Sequence, residues 1–287
     1  MSQPGPIHIL YNPKSTGNGY KNAKNLEARL KKLAVAAEII ETKHAGHAVE
    51  LARKFANIHS RGMIISSSGD GGYHEVVNGV LSSKHPGVIT GVLPSGNAND
   101  HYHFVHRGSS AQRISKGDSQ VIDVLQVKTP SWMHYAHSYA GLGITPQIGR
   151  ELTKNKLNKL VESWLVIKNL FRPPIVKIRV GSRSYRYKNL VFSNSGRMSK
   201  YLTLSTSAKI DDGFFEITRV KDDSLFSLFR HLFKATAGQI EDAPQAAEFR
   251  FIALHNMSIQ LDGEVYLIAS GEEVVVTCLP QALRCIV

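Results

Sequence analysis

Two apolar rhythms alternate along the first part of the chain. Ile7–Tyr11 is a short apolar run stopped by Asn12-Pro13, the pattern of a buried strand entering a turn. Ala23, Leu26, Leu30 and Leu33 then recur at helical spacing, with Lys and Arg between them. Ala37–Glu41 reads as a second strand, and Ala48, Leu51, Ala52 and Phe55 as a second amphipathic helix. Gly62–Ser67 is a third strand, Val76, Val77, Val80 and Leu81 form a third helical face, and Val88–Leu93 is a fourth strand. This β-α-β-α order predicts a mostly parallel sheet with helices on its faces. Ligands of such sheets bind in the loops at the C-terminal ends of the strands.

From Ile122 onward the rhythm changes. Short β-rich runs dominate: Val124–Val127, Ile175–Val180, Tyr185–Phe192, Phe214–Val220, Phe249–Leu254, Ser258–Leu261 and Val274–Cys278. Helical stretches at Pro146–Phe171 and Ser224–Ala237 interrupt them. The pattern suits an antiparallel sandwich. Gly117-Asp118-Ser119 marks the loop between the halves, which gives domains at 1–121 and 122–287.

Composition adds bounds. The chain has 287 residues, 42% hydrophobic and 20% charged, as ordinary globular proteins do. Its two cysteines, Cys278 and Cys285, are too few for a disulfide scaffold or a thiolate zinc cluster. No apolar run is long enough to span a membrane, and Met1–Pro6 has no basic region leading into an apolar one. A soluble, cytoplasmic protein is expected. The net charge of +12 calls for an anionic partner without saying which.

Three predicted strand ends carry unusual loops. Asn12-Pro13-Lys14-Ser15-Thr16-Gly17-Asn18-Gly19 follows the first strand and opens a helix. Small residues let a backbone approach a ligand, and helix N-terminal amides favour phosphate. The alternative is a plain glycine-rich turn, and no Walker loop closes it. Ser66-Ser67-Ser68-Gly69-Asp70-Gly71-Gly72 runs into a helix at Tyr73-His74-Glu75. Asp70 there either handles Mg2+ or a proton, or simply caps the helix. Leu93-Pro94-Ser95-Gly96-Asn97-Ala98-Asn99-Asp100 follows the fourth strand, as a turn and cap or as a third ligand loop. Far away, Leu261-Asp262-Gly263-Glu264 reads as an Asp-Gly hairpin turn or as a carboxylate that reaches a cleft.

Taken in order, these segments resemble the diacylglycerol kinase catalytic-domain family, which includes bacterial diacylglycerol kinases and sphingosine kinases. That family shows an Asn-Pro loop, Gly-Gly-Asp-Gly-Thr before a Glu-Val-Val-Asn-Gly-Leu-type helix, Pro-x-Gly-Thr-x-Asn-Asp-Phe, and a late Asp-Gly-Glu. This chain has Asn12-Pro13, Ser68-Gly69-Asp70-Gly71-Gly72, Glu75-Val76-Val77-Asn78-Gly79-Val80, Pro94-Ser95-Gly96-Asn97-Ala98-Asn99-Asp100 and Asp262-Gly263-Glu264. Thr42 with Gly46-His47-Ala48, Ile122-Asp123, Tyr139–Gly143 and Ala208–Gly213 are lesser matches.

The resemblance implies an α/β nucleotide-binding domain of the NAD kinase/diacylglycerol kinase type, followed by a mostly antiparallel β-sandwich domain carrying the Asp-Gly-Glu motif. It implies an ATP-dependent lipid kinase that phosphorylates a hydroxyl of a diacylglycerol-like or long-chain-base lipid, with ATP in the cleft and Mg2+ as metal. Asn12, Pro13, Lys14, Ser15, Thr16, Gly17, Asn18, Thr42, Gly69, Asp70, Gly71, Gly72, Tyr73, His74, Glu75 and Asn97 fall on its nucleotide-binding positions. Glu264 falls on the catalytic base, and Asp70 helps to position the phosphates. A structural Mg2+ of some bacterial members maps to Asp212 with the backbone carbonyls of Lys209 and Phe214.

The match has departures. Ser68 replaces a Gly, and Gly72 and Asn97 each replace a Thr. A lost phosphate donor costs about 1–3 kcal/mol, which slows an enzyme without abolishing it. Asp70 and Glu264 are kept, which favours retained catalysis. Rival readings are an NAD kinase and a catalytically weak nucleotide- or lipid-binding relative. His101, His103 and His106 lack the spacing of a metal site and read as packing or cleft-lining residues. Residues 122–220 hold 16 Lys and Arg against 6 Asp and Glu. Arg150, Lys154, Lys156, Lys159, Lys168 and Arg172, interleaved with Trp164, Leu165 and Phe171, form either a surface for anionic lipid or a solvated helix with a buried side. The expected partner is a lipid at a membrane surface, met peripherally at the inner face. No nucleic-acid motif accompanies the charge, and a homodimer is left open.

Overall fold

In the computed structural model, the first rhythm becomes a parallel sheet. The structure describes residues 5–15, 18–96, 99, 101–102, 111–147, 173–198, 202–203, 205, 208–223 and 243–286. Strands β1 (Ile7–Tyr11), β2 (Glu38–Glu41), β3 (Met63–Ser68) and β4 (Ile89–Pro94) pair in the order β2-β1-β3-β4. Helices α1 (Gly19–Lys32), α2 (His47–Ile58), α3 (Asp70–Leu81) and α4 (Ala111–Lys116) accompany them. Alternation along the strands sorts the core onto two faces. Ile7, Ile9, Met63 and Ile65 pack with Ala23, Leu26 and Leu30 of α1 and Ile114 of α4. Leu10 and Ile64 point the other way, to Ala52 and Phe55 of α2 and Val76 and Val80 of α3. The sheet is thus doubly wound. Its order reverses between β1 and β3, where ligand crevices form in such sheets.

The strands and helices predicted before Ile122 are present, with shifted ends. Leu33 follows α1 as its C-cap and is exposed. Helix α3 begins at Asp70 instead of Tyr73, because Gly71 and Gly72 take helical conformation in its first turn.

The chain divides into two compact units, Met1–Val124 with Pro280–Val287, and Leu125–Leu279. The later strands are β5 (Gln120–Lys128), β6 (Met133–Ala136), β7 (Tyr139–Gly143), β8 (Val176–Val180), β9 (Arg183–Ser193), β10 (Arg197–Met198), β11 (Leu202–Thr203), β12 (Phe215–Lys221), β13 (Gln245–Ala246), β14 (Glu248–Ala253), β15 (Met257–Leu261), β16 (Glu264–Ile268) and β17 (Glu273–Cys285). Pairings described within the second unit are antiparallel. Long β9 serves three neighbours, with Arg183–Tyr187 on β8, Asn189–Ser193 on β7, and Tyr187 with Asn189–Ser193 on β12. Phe192, Phe215, Phe251, Leu142 and Ile259 lie at the centre of this core. The helical stretch from Pro146 is described only at its first two residues, and that at Ser224–Ala237 lies outside the described residues. So does the basic block from Arg150 to Arg172.

The last residues return to the first unit, although the sequence pattern grouped them with the second. Cys285 pairs in parallel with Thr90 of β4, the Ile286 N–H donates to the Thr90 carbonyl, and Ile286 joins the α1 face of the core. The Gln281 N–H donates to Asp123 Oδ1 at 2.7 Å. Burial pushes the Cys285 thiol up to about 12. The unfolded chain therefore ionises this thiol first, and stability falls as pH rises from 9.0 towards about 12. Alkylation at pH 8 is expected to spare Cys285 in the folded protein and to modify it in denaturant, as peptide mass mapping would read. Equal labelling in both states would contradict the buried return strand.

Candidate functional site

The ends of β1, β3 and β4 bring three loops together. After β1, Asn12 shapes its own turn. Its Oδ1 accepts the Lys14 N–H at 2.9 Å and its carbonyl accepts the Ser15 N–H at 3.0 Å. Lys14 is exposed, and left-handed Asn18 leads into α1. Thr42, at the end of β2, donates its N–H and hydroxyl to the Tyr11 carbonyl, at 2.9 and 3.3 Å. The Ser67 hydroxyl donates to the Gly19 carbonyl at 2.7 Å, which fastens the start of α1 to the end of β3. Asn22 of α1 reaches the third loop, donating to Ser95 Oγ at 2.8 Å.

The second loop passes straight into α3. No side chain caps this helix. The first amide to find a helical partner is that of Tyr73, which donates to the Gly69 carbonyl at 3.2 Å. The amides of Gly71 and Gly72 precede it, in the turn that an α-helix leaves without internal acceptors. Such a turn attracts phosphate. Half-buried Asp70 heads it. The backbones of the second and third loops touch: a Cβ on Gly96 would lie 2.4 Å from Gly69 Cα. Asn99 holds that close turn, accepting the Gly96 N–H at 3.0 Å and donating to the Gly96 carbonyl at 2.8 Å.

Three residues assigned to nucleotide positions are committed elsewhere by their side chains. Tyr73 is fully buried, with its hydroxyl 2.9 Å from Thr90 Oγ1 and its ring against His101. His74 is buried against Asn78. The Glu75 carboxylate accepts the N–H groups of Gly46 and Ala48, at 2.9 and 3.1 Å, and so holds the start of α2 beside Thr42. Tyr73 and His74 thus serve packing, and Glu75 acts through the backbone it holds. His101 packs as well. Thr16, Gly17, Asn97, His103 and His106 lie outside the described residues.

In the second unit, Asp262-Gly263 forms a two-residue hairpin turn between β15 and β16, with both residues at positive φ. Glu264 is the first residue of β16 and is exposed. Asp262 is buried, and its carboxylate gathers three backbone amides: His137 at 2.7 Å, Ser138 at 3.0 Å and Tyr139 at 3.0 Å. Sequence reasoning singled out Glu264 and passed over this role of Asp262, because the same dipeptide is also a routine turn.

Asp212 lies in the turn before β12. Its Oδ1 accepts the Phe214 N–H at 3.0 Å, and its Oδ2 lies 3.4 Å from Gln245 Nε2. That amide also donates to Glu216 Oε1 at 3.2 Å. An all-oxygen donor set of carboxylate and carbonyls suits a hard cation such as Mg2+. Among the described residues, His44, His47 and Glu50 also gather as metal-capable side chains. There the Lys43 N–H donates to His47 Nδ1 at 3.1 Å, so a neutral ring carries its proton on Nε2.

Known proteins resemble this chain in sequence and in fold. Residues 6–127 match the diacylglycerol kinase catalytic domain. A diacylglycerol kinase of Staphylococcus aureus is 25% identical over 274 residues, covering 89% of this chain and 85% of the relative. One from Staphylococcus carnosus is 26% identical over 275 residues, with 89% and 87% covered. The fold matches the crystal structure of a diacylglycerol kinase from Bacillus anthracis strain Sterne, with a TM-score of 0.70 at 18% identity, covering 100% of this chain and 97% of that one.

Proposed function

We propose that this protein, whose residues 6–127 match the diacylglycerol kinase catalytic domain, is a lipid kinase that transfers the γ-phosphate of ATP to a hydroxyl of a diacylglycerol-like or long-chain-base lipid. One observation carries the reading. Three loops converge at the ends of parallel strands, around the uncapped first turn of α3, and two of them touch through Gly69 and Gly96.

Phosphoryl transfer asks for positioning and charge neutralisation more than covalent chemistry. The Gly71 and Gly72 amides donate to phosphate oxygens, and Lys14 adds positive charge. Thr42, held by the Tyr11 carbonyl next to the start of α2 that Glu75 holds, borders the nucleotide. Asp70 orients the phosphates. Mg2+, when bound, would neutralise phosphate charge, and Asp212 with the carbonyls of Lys209 and Phe214 would hold a structural Mg2+. Glu264 takes the proton from the lipid hydroxyl as it attacks. Its exposure suits an acceptor that arrives from a membrane surface, with the protein bound peripherally at the cytoplasmic face. Among the described residues, no helix is long and apolar enough to cross a membrane.

A second reading, a nucleotide- or lipid-binding relative without transfer, draws on Gly72. NAD kinase fits less well, since Pro94–Asp100 and Asp262-Gly263-Glu264 follow the lipid-kinase pattern. The test uses labelled ATP, Mg2+ and mixed micelles that contain diacylglycerol, a long-chain base or detergent alone, beside NAD as a soluble acceptor. Label is expected in an organic-phase lipid. Label on NAD, or ATP bound with no label on any acceptor, would contradict the proposal.

A further inference from the structure

The turn from β3 into α3 is filled from an unexpected side. A Cβ on Gly72 would lie 2.2 Å from Ser68 Oγ, 2.7 Å from Ser68 Cβ and 3.7 Å from Ser66 Oγ. Cβ atoms do not approach neighbours so closely, so the Ser68 side chain already occupies the volume that any side chain at position 72 would need. Positions 68 and 72 share one side-chain space, entered here from the strand instead of the helix. The hydroxyl in it is held: Ser68 Oγ is 2.6 Å from Ser66 Oγ and donates to the Gly69 carbonyl at 3.1 Å. Both serines are buried, at 2% and 4% exposure.

An alanine or cysteine would fill this gap without burying hydroxyls, and buried hydroxyls cost stability unless they are hydrogen-bonded. Here two of them are stacked beside the first turn of the helix that the site uses for phosphate. A hydroxyl both donates and accepts, and it rotates freely about its C–O bond. Ser68 can therefore keep accepting from Ser66 while it turns its own proton from the Gly69 carbonyl to an anionic oxygen.

We propose that Ser68 is a phosphate-binding residue of this site. Its hydroxyl, supported by Ser66, joins the first-turn amides of α3 on a phosphate of the nucleotide, and its presence is the reason that position 72 is glycine. The inference rests on the lipid-kinase reading and deepens it. It also reverses the expectation that Gly72 deprives the site of a hydroxyl: the hydroxyl is delivered from the end of β3. Serine at 68 and glycine at 72 then form one coupled choice, and glycine at 68 with threonine at 72 is the equivalent alternative.

Three variants test this: Ser68→Ala, Gly72→Thr, and Ser68→Gly/Gly72→Thr. Each is titrated with a fluorescent ATP analogue in the presence of Mg2+, and each is melted. Ser68→Ala keeps the Cβ and is expected to melt like the parent yet bind about 10-fold more weakly, as the loss of one hydrogen bond to a charged group predicts. Gly72→Thr alone is expected to bind worse still, because two side chains compete for one space. The double variant is expected to return to within about 3-fold of the parent, since it restores a single hydroxyl to that space. Ser68→Ala binding as tightly as the parent would overturn the proposal and leave Ser68 as packing. So would a folded double variant that binds no better than Ser68→Ala. A parent protein that melts normally and binds no ATP would instead overturn the lipid-kinase reading on which the inference stands.

Discussion

Asp262→Ala is expected to lower the unfolding free energy by about 3–5 kcal/mol, as losses of buried, fully engaged carboxylates do. The side chain is 1% exposed and its two oxygens serve the amides of His137, Ser138 and Tyr139. Removing it strands three buried donors, and each unsatisfied donor costs about 1–3 kcal/mol before relaxation. Alanine at φ 48 adds a strain that aspartate tolerates better. At roughly 2–4 °C per kcal/mol for a domain of this size, the melting temperature should fall by about 10 °C. Glu264→Ala, two residues away on the exposed start of β16, should leave it unchanged. Equal melting of both variants would mean that Asp262 does not anchor the hairpin tip.

Gly96→Ala should be the most damaging small change in the first unit. Its Cβ would meet Gly69 Cα at 2.4 Å and Gly69 N at 3.2 Å, which are backbone atoms that cannot rotate away. Overpacking of this kind costs about 1–3 kcal/mol, and here it also pushes the second loop off the third. ATP binding is expected to weaken by about 10-fold or more. Gly69→Ala makes the reverse contact at a gentler 3.1 Å and should bind ATP better than Gly96→Ala. The two affinities, measured by titration calorimetry, check the order. The opposite order would contradict the backbone contact.

The first unit was legible because its helices repeat apolar residues on one face and its strands are short apolar runs between turn residues. The second unit was read less well. β6 and β7 mix aromatic, His and Gly residues without alternation, and β16 begins at the glutamate that had been set apart as a site residue. β17 continues past Pro280, where a strand pattern stops. Left-handed Gln281 bends the chain, and Asp123 takes its amide. That partner lies far away in sequence and leaves no local signal.

The site divides in the same way. Glycine-dense loops at strand ends pointed to three places that the fold brings together. The sequence could not separate a glycine needed for phosphate approach from one needed for space. Gly96 faces another backbone, and Gly72 faces Ser68. Nor could it tell that Tyr73 and His74 turn into the core, since helix α3 starts three residues earlier than its apolar face suggested. Asn22, Ser67 and Ser95, which tie the loops to one another, are small polar residues with no motif of their own.

The central claim is that this chain moves a phosphoryl group from ATP to a lipid hydroxyl with Glu264 as the base. Its most direct test compares the parent and Glu264→Gln for transfer of label from γ-labelled ATP into micellar diacylglycerol and long-chain base, at ATP concentrations where both are saturated. The expected result is transfer by the parent, a loss of about 100-fold or more in rate for Glu264→Gln, and equal ATP affinity for the two. Transfer that survives the substitution undiminished would contradict the role of Glu264. No transfer by an ATP-bound parent would contradict the kinase itself.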